Sequence, residues 1–201
     1  MEASTALYIV AAAMILVGVP VVFFDRKKTI CIVLSLLLAV ALTGCKKEDT
    51  SVKTYEAFAV ENGVMPTLDA LGEYQSVKTL MFETFEFVPA YTLIAEFDAE
   101  HFGEAVKAVE ERYAFQKEPM TDKVEENTLE PTFSLDGYDF RVLDLAKYSQ
   151  EYSEFPEEIY FIGLNGQERK IAYVYFYDQS LDVGDSLEYI LTRYCDWGAI
   201  K

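Results

Sequence analysis

Few side chains in this chain of 201 residues are of the kinds that perform catalysis or hold metal ions. His101 is the only histidine, so a metal site built from several imidazoles is excluded. It lies one helical turn from Asp98 and Glu104, and we interpret it as an exposed surface group. The chain has no glycine-rich phosphate loop, no Gly-x-Ser-x-Gly motif and no Cys-x-x-Cys pair. The sequence therefore indicates no catalytic residue and no cofactor, and it favours a protein that is not an enzyme.

Carboxylates are the one abundant group that could do chemistry. Asp178, Asp182, Asp185 and Glu188 could supply oxygen ligands to Ca²⁺. Their spacing, however, is not that of an EF-hand loop. Asp185 and Glu188 also fit a capping box at the start of a last helix, so we predict no metal site here. Hydrolysis by two other carboxylates stays open as an alternative, because so acidic a chain offers many pairs.

The cysteine at position 45 closes a distinctive stretch. A basic run, Arg26-Lys27-Lys28, precedes an uncharged and leucine-rich segment at residues 29–44. This order is typical of a secretory signal peptide. The apolar segment ends in Leu42-Thr43-Gly44-Cys45, whose small residues allow an extended backbone to enter a peptidase cleft. Charged residues follow Cys45 at once.

The stretch Leu42-Thr43-Gly44-Cys45 resembles the lipobox of bacterial lipoproteins. The resemblance implies that the chain is cut before Cys45 and that the cysteine sulfur carries a diacylglycerol. It also implies that the protein is held in the cell membrane by this lipid, facing the extracytoplasmic side, since two acyl chains give stable anchoring. The alternative is an uncleaved anchor, although the 16 residues from Thr29 to Gly44 are short for a span of about 20. The resemblance covers the first quarter of the chain and assigns no family to the rest.

A second uncharged stretch, at residues 3–24, precedes the basic run. We favour a start site placed too far upstream, with the true signal peptide beginning near Arg26. The other interpretation is a real first span whose basic loop stays in the cytoplasm. Both interpretations place Cys45 and everything after it on the outer side.

Composition limits the partners of the remaining chain. Without residues 1–44 it keeps 14 basic and 32 acidic residues, a net charge near −18. Such a body repels phosphate backbones, which excludes nucleic acid and leaves a protein partner in the envelope open. Cys31 lies in the signal segment and Cys45 would carry lipid, so Cys195 has no intramolecular disulfide partner. We interpret Cys195 as a buried, inert thiol.

The patterning predicts one α+β domain at residues 65–201, after a tether at residues 45–64. Its expected core is an antiparallel β-meander sheet with helices packed on one face. The predicted elements begin with a short helix that starts at Pro66-Thr67, carries Leu68 and Leu71 and is closed by Gly72. They continue with a strand over Thr84–Phe97, in which Pro89 marks a bulge or break, and a helix over Ala99–Phe115 with Asp98 as its N-cap. Strands are predicted at Thr132–Leu135 and Tyr138–Leu143, joined by a two-residue type I′ turn at Asp136-Gly137, and at Glu158–Leu164 and Gln167–Asp178, before a last helix that follows Asp185 and stops at Gly198.

Asn165-Gly166 predicts a two-residue hairpin turn that sets Leu164 opposite Gln167. This register sorts the hairpin into two faces. One face carries Phe161, Val174 and Phe176 and is expected to be core, with Gly163 among them. The other carries the candidate binding residues Tyr160, Tyr173, Tyr175 and Tyr177. Burial under a helix explains this tyrosine face equally well.

Two classes of function follow. The first is a lipid-anchored binding or interaction module of the cell envelope that uses the tyrosine face or the acidic surface. The second is a small envelope hydrolase with an acidic site, which needs at least two carboxylates that converge in a pocket with a perturbed pKa. The sequence names neither the ligand nor the partner.

Overall fold

One large antiparallel sheet forms the centre of the part of the chain that the structure describes. The computed structural model describes residues 47–83, 89–121, 128–148, 158–177 and 186–201. Within them the large sheet contains β1 (Lys47–Asp49), β2 (Ser76–Glu83), β3 (Pro89–Glu96), β6 (Thr132–Leu135), β7 (Tyr138–Val142), β8 (Glu158–Asn165) and β9 (Lys170–Tyr177), and a small sheet pairs β4 (Met120–Thr121) with β5 (Thr128–Leu129). The helices are α1 (Val52–Asn62), α2 (His101–Arg112), α3 (Leu145–Tyr148), α4 (Leu187–Tyr194) and α5 (Trp197–Ile200), with a 3₁₀ turn at Leu68–Leu71. The predicted α+β class is confirmed.

The large sheet joins two meanders. Its strand order is β1-β2-β3-β9-β8-β7-β6, and all neighbours are antiparallel. The predicted meander of four strands, β6 to β9, is present. A second meander, β1 to β3, joins it where β3 pairs with β9. The strand predicted over Thr84–Phe97 is present as β3, with residues 84–88 outside the described residues, whereas β1 and β2 were not predicted.

Helices cover both faces of the sheet, so the prediction of helices on one face is wrong. Buried residues of α4 and α5 pack with Phe161, Val174 and Phe176, a cluster that we call the first core. Buried residues of α1 and α2 pack with Tyr160 and Tyr173 on the opposite face, in what we call the second core. The physical reason is that β3 and β9 are apolar on both sides, and each side must be removed from water.

The β8–β9 hairpin differs from its prediction in register. Leu164 pairs with Ile171 rather than Gln167, and Asn165 pairs with Lys170 as the last strand residue. The loop holds four residues, because the Asn165 side-chain oxygen accepts a hydrogen bond from the Glu168 N–H at 2.9 Å. The partner of Leu164 lies four positions later than predicted. Side chains alternate between the two faces, so a shift by an even number keeps every residue on its predicted face, and the predicted sorting of the two faces is confirmed.

The β6–β7 hairpin follows its prediction. Leu135 pairs with Tyr138, and the turn residues Asp136 and Gly137 have φ angles of 51° and 81°. Positive φ at both positions is the signature of a type I′ turn, which glycine and aspartate tolerate.

The predicted tether before Met65 is wrong for most of its length. Lys47–Asp49 is an edge strand paired with β2, and Val52–Asn62 is a helix. Only Tyr55 and Ala59 of this helix are buried, while Val60 is exposed, so its sequence lacks a distinct apolar stripe. Gly63, with φ 72°, ends the helix.

The starts of the two long helices after β3 are fixed by side chains. Asp98 Oδ1 accepts hydrogen bonds from the Glu100 and His101 N–H groups, both at 2.9 Å, as predicted for a capping residue. At α4 the cap is Ser186, whose hydroxyl accepts from the Tyr189 N–H. The predicted cap Asp185, with Asp178 and Asp182, lies outside the described residues. Gly198, predicted to stop this helix, lies inside α5.

Cys195 is a free and fully buried thiol, and burial raises its pKa. Among the described residues, no helix is both long and apolar enough to cross a membrane.

The packing of Phe140 on Gly163 yields a test of the first core. A Cβ at Gly163 would lie 2.7 Å from Cδ1 of Phe140, inside the ring's van der Waals surface. Gly163→Ala should therefore lower the free energy of unfolding by about 1–3 kcal/mol, as overpacking does. Gly103→Ala, in α2 where nothing lies within 4 Å, is the control and should be neutral or stabilising. Chemical denaturation of both variants measures the difference, and equal stabilities would contradict the packing.

Candidate functional site

The four predicted tyrosines occupy two different environments. Tyr160, Tyr173 and Tyr175 are only 2, 5 and 6 % exposed and belong to the second core. Tyr177 is half-buried at the last position of β9 and packs against the edge of that core. The solvent-open tyrosine face that would favour recognition is therefore not present at the first three residues, which lie under α1 and α2.

Tyrosine hydroxyls in and around the second core reach polar partners at its margin. Tyr175 donates to Glu158 Oε1 and Tyr160 accepts from the Asn62 amide, each at 3.0 Å. Burial raises the pKa of Tyr160 to about 12. These two bonds explain how Tyr160 and Tyr175 are buried without leaving their hydroxyls unsatisfied.

An open groove of about 490 Å³ runs along the outer side of α1. Three of its residues, Thr54, Phe58 and Glu61, lie on one face of α1 because they are four and three positions apart. Tyr91 of β3 completes the groove from the sheet. The lining consists of Ser51, Lys53, Thr54, Ala57, Phe58, Glu61 and Tyr91.

A stacked pair of rings forms the apolar part of the groove. The Phe58 and Tyr91 centroids are 3.7 Å apart, with the ring planes within 4° of parallel. The Phe58 ring also lies 5.0 Å from the ring of Tyr175, so the pair continues the second core to the surface. Both rings are half-buried and keep part of their surface in contact with water.

Negative charge surrounds this pair. Burial and the nearby carboxylates of Glu83, Glu61 and Asp49 raise the pKa of Tyr91. Asp49 itself accepts hydrogen bonds from the Thr54 hydroxyl and the Ser51 N–H, both at 2.7 Å, which hold its pKa below the usual value. The arrangement offers an apolar surface with an acidic rim, and Lys53 is the one cation among the lining residues.

His101 is half-buried rather than exposed, and it is paired with carboxylates. Of the two acidic residues one helical turn away, Asp98 is its partner, and Glu73 is a second partner. Its Nδ1 lies 2.9 Å from Asp98 Oδ2, and its Nε2 lies 3.4 Å from Glu73. The hydrogen bond with Asp98 raises the pKa of His101, with further contributions from the negative charges of Asp98 and Glu73. This cluster braces the start of α2 at the surface and faces no cavity of the described residues.

The carboxyl groups of Asp49, Asp98 and Asp136 lack the raised pKa that a general acid needs. The pKa values of Asp49, Asp98 and Asp136 are all lowered by hydrogen bonds, and each residue lies at the surface. Within the part of the chain that the structure describes, no group of three or more potential ligands is placed to hold a metal ion.

The chain matches no protein-family model, no curated protein and no solved structure. The groove beside α1 is therefore a candidate site on the strength of its geometry alone. Sequence reasoning missed Phe58, Glu61 and Tyr91, although Ser51 and Asn62-Gly63 bracket α1 with residues that favour helix ends.

The burial difference between Tyr173 and Tyr177 predicts different costs of truncation. Tyr173→Ser should lower the free energy of unfolding by about 3–5 kcal/mol, as loss of a large aromatic from a core does. Tyr177→Ser, at the half-buried edge, should cost about 1 kcal/mol. Denaturation curves of both variants beside wild type test this. Similar losses at both positions would mean that the tyrosine face is not covered by α1 and α2.

Proposed function

We propose that this protein is a lipid-anchored lipoprotein of the cell envelope whose folded domain is a binding module, with the groove beside α1 as its binding site. The lipobox-like stretch ending at Cys45 supports the anchor. The observation that carries the binding role is the stacked Phe58–Tyr91 pair, which keeps aromatic surface open to water on an otherwise polar helix flank. Exposed aromatic surface with a polar rim is typical of recognition sites.

The partner that fits this groove is a protein segment with basic residues next to an apolar side chain. The apolar side chain would contact the Phe58 and Tyr91 rings, while the carboxylates of Glu61 and Glu83 would attract the positive charges. The net charge near −18 of residues 45–201 adds a long-range attraction for a basic partner.

The alternative function, an acidic hydrolase, has less support from the described residues. A general acid needs a carboxyl whose pKa is raised toward the working pH. The shifted carboxyls described above are lowered instead. The titratable residues that line the groove are Lys53, Glu61 and Tyr91. Only Tyr91 among them is half-buried, and it is not a carboxylic acid.

Lipid labelling tests the anchor. Cells fed a clickable palmitate analogue should label the wild-type protein and should not label Cys45→Ser, because only Cys45 follows the lipobox-like residues. Cys195→Ser, which removes a buried thiol, is the control and should keep the label. Equal labelling of wild type and Cys45→Ser would overturn the lipoprotein proposal.

Photo-crosslinking tests the groove. A photoreactive amino acid in place of Ala57, an exposed groove residue, should give a discrete adduct with one envelope protein. The same replacement at Ala199, exposed on α5 over the opposite face of the sheet, is the matched control and should give none. High salt and the charge reversal Glu61→Lys should each weaken the Ala57 adduct, because both reduce attraction for a basic segment.

Two results would contradict this binding role. One is an identical set of adducts from Ala57 and Ala199, which would reflect non-specific proximity. The other is an Ala57 adduct that survives both high salt and Glu61→Lys, which would exclude a basic partner.

A further inference from the structure

We infer that a narrow cleft between the 3₁₀ turn and α2 is a second binding site, which takes the carboxylate group of a small ligand. The cleft shares no lining residue with the groove beside α1, and the inference does not depend on the proposed function. The turn, α2 and the part of β9 that form the cleft all lie among the described residues.

Small side chains leave the cleft open. Ala105 and Ala108 line it from α2, and Ala70 lines it from the 3₁₀ turn. Ala105, Ala108 and Arg112 follow one another at intervals of three and four residues, so they lie on one face of the helix. The volume of the cleft is about 20 Å³, which accommodates one small polar group and not the body of a ligand.

A buried hydroxyl without a partner lies at this cleft. Tyr173 lines it from the sheet and is only 5 % exposed, and its hydroxyl has no hydrogen-bond partner among the described residues. The hydroxyls of the neighbouring Tyr55 and Tyr113 instead donate to the carbonyls of Pro66 and Val64, each at 3.0 Å. A buried polar group without a partner is unfavourable and rare in native proteins. The Tyr173 hydroxyl therefore indicates a ligand group that accepts a hydrogen bond.

The charge beside this hydroxyl is positive. Among the described residues that line the cleft, Arg112 is the only charged one. Its guanidinium makes one long hydrogen bond, 3.4 Å to the Val64 carbonyl, and forms no ion pair with a described carboxylate. Burial raises the pKa of Tyr173 while the Arg112 cation lowers it, so the hydroxyl stays protonated within the field of the guanidinium. The cleft thus offers a cationic donor and a neutral donor to the same ligand group.

A carboxylate matches these two donors better than a phosphate does. It is planar, it can accept paired hydrogen bonds from the guanidinium, and it keeps lone pairs for a hydroxyl. A phosphate is bulkier and more highly charged, and the net charge near −18 of residues 45–201 repels it more strongly. The ligand would meet the Tyr173 hydroxyl at the margin of the second core, with a short apolar substituent against the alanines. It is either a small monocarboxylate or the C-terminal carboxylate of a peptide.

Arginine side-chain NMR tests the site. The protein is labelled with ¹⁵N-arginine, purified in detergent micelles and kept at about pH 6, where a carboxylate is still charged. Propionate, added at constant ionic strength, should shift the Arg112 Nε–H signal along a saturating curve, and Arg112→Lys identifies that signal by removing it. The signals of Arg141, Arg169 and Arg193, which do not line the cleft, should not follow this curve.

Further titrations define the ligand. Propionamide, which has the same shape without the charge, should give no saturable shift, and phosphate should bind more weakly than propionate. Acetyl-Gly-Ala with a free C-terminus, compared with its C-terminal amide, distinguishes the two sources of the carboxylate. Tighter binding of the free peptide than of propionate would assign the cleft to peptide chain ends, and weaker binding would assign it to small acids.

Tyr173→Phe removes the hydroxyl and keeps the ring. This variant should bind propionate about tenfold more weakly, because a hydrogen bond to a charged group is lost. Its melting temperature should equal that of wild type, because no protein group loses a partner. Tyr160→Phe, on the same face of the sheet and outside the cleft, is the matched control. It should melt below wild type, since it loses the bond with Asn62, and should bind propionate normally.

Three results would overturn this site. The first is an Arg112 signal that does not move, or that drifts linearly together with the other arginine signals, as charge screening alone would cause. The second is propionamide or phosphate binding as tightly as propionate, which would exclude recognition of a carboxylate. The third is a Tyr173→Phe variant that binds propionate as wild type does, which would mean that the cleft holds only water.

Discussion

The burial of both faces of the central strands is the constraint on which this structure depends. β3, β8 and β9 each carry a run of buried residues, so no face of the sheet centre is free to meet water or a ligand. Every polar group there must find a protein partner. Tyr160 and Tyr175 do so at the margin of the second core, whereas the Thr92 hydroxyl, only 1 % exposed, has no partner in the described residues. Recognition is therefore confined to the ends and flanks of the sheet.

Two-sided burial also explains why the domain needs α1. The second core contains Tyr173 and Tyr175 on the strands and Ala105 and Val109 on α2, and α1 covers it further with Tyr55 and Ala59. The hydroxyl of Tyr55 donates to the Pro66 carbonyl at 3.0 Å, which joins α1 to the turn that follows it. A segment with the composition of a tether thus becomes part of the fold, because the sheet supplies an apolar surface that the segment alone does not reveal.

The elements predicted from sequence are those whose causes are local. The Asp136-Gly137 turn, the Asp98 cap and the two faces of the β8–β9 hairpin follow from residues close together in the chain. The predicted register of the β8–β9 hairpin was wrong because the Asn165 side chain bonds to the loop backbone. The Asn-Gly pair alone does not predict this bond. β1 and α1 were missed because their partners lie far away in sequence, whereas β2 was missed although its partner β3 follows it directly. The groove was missed with them, since Phe58 and Tyr91 meet only when α1 crosses the sheet.

Fold and candidate site are physically inseparable at α1. Phe58 contacts Tyr175 of the second core on one side and presents its stack with Tyr91 to the groove on the other. Asp49 bonds to Thr54 of α1 and contributes to the negative field at Tyr91. A change in the groove therefore alters the cover of the core, and a change in β1 alters the groove. β1 begins two residues after Cys45, so the proposed lipid on that cysteine would be attached next to the strand that bonds to the groove helix.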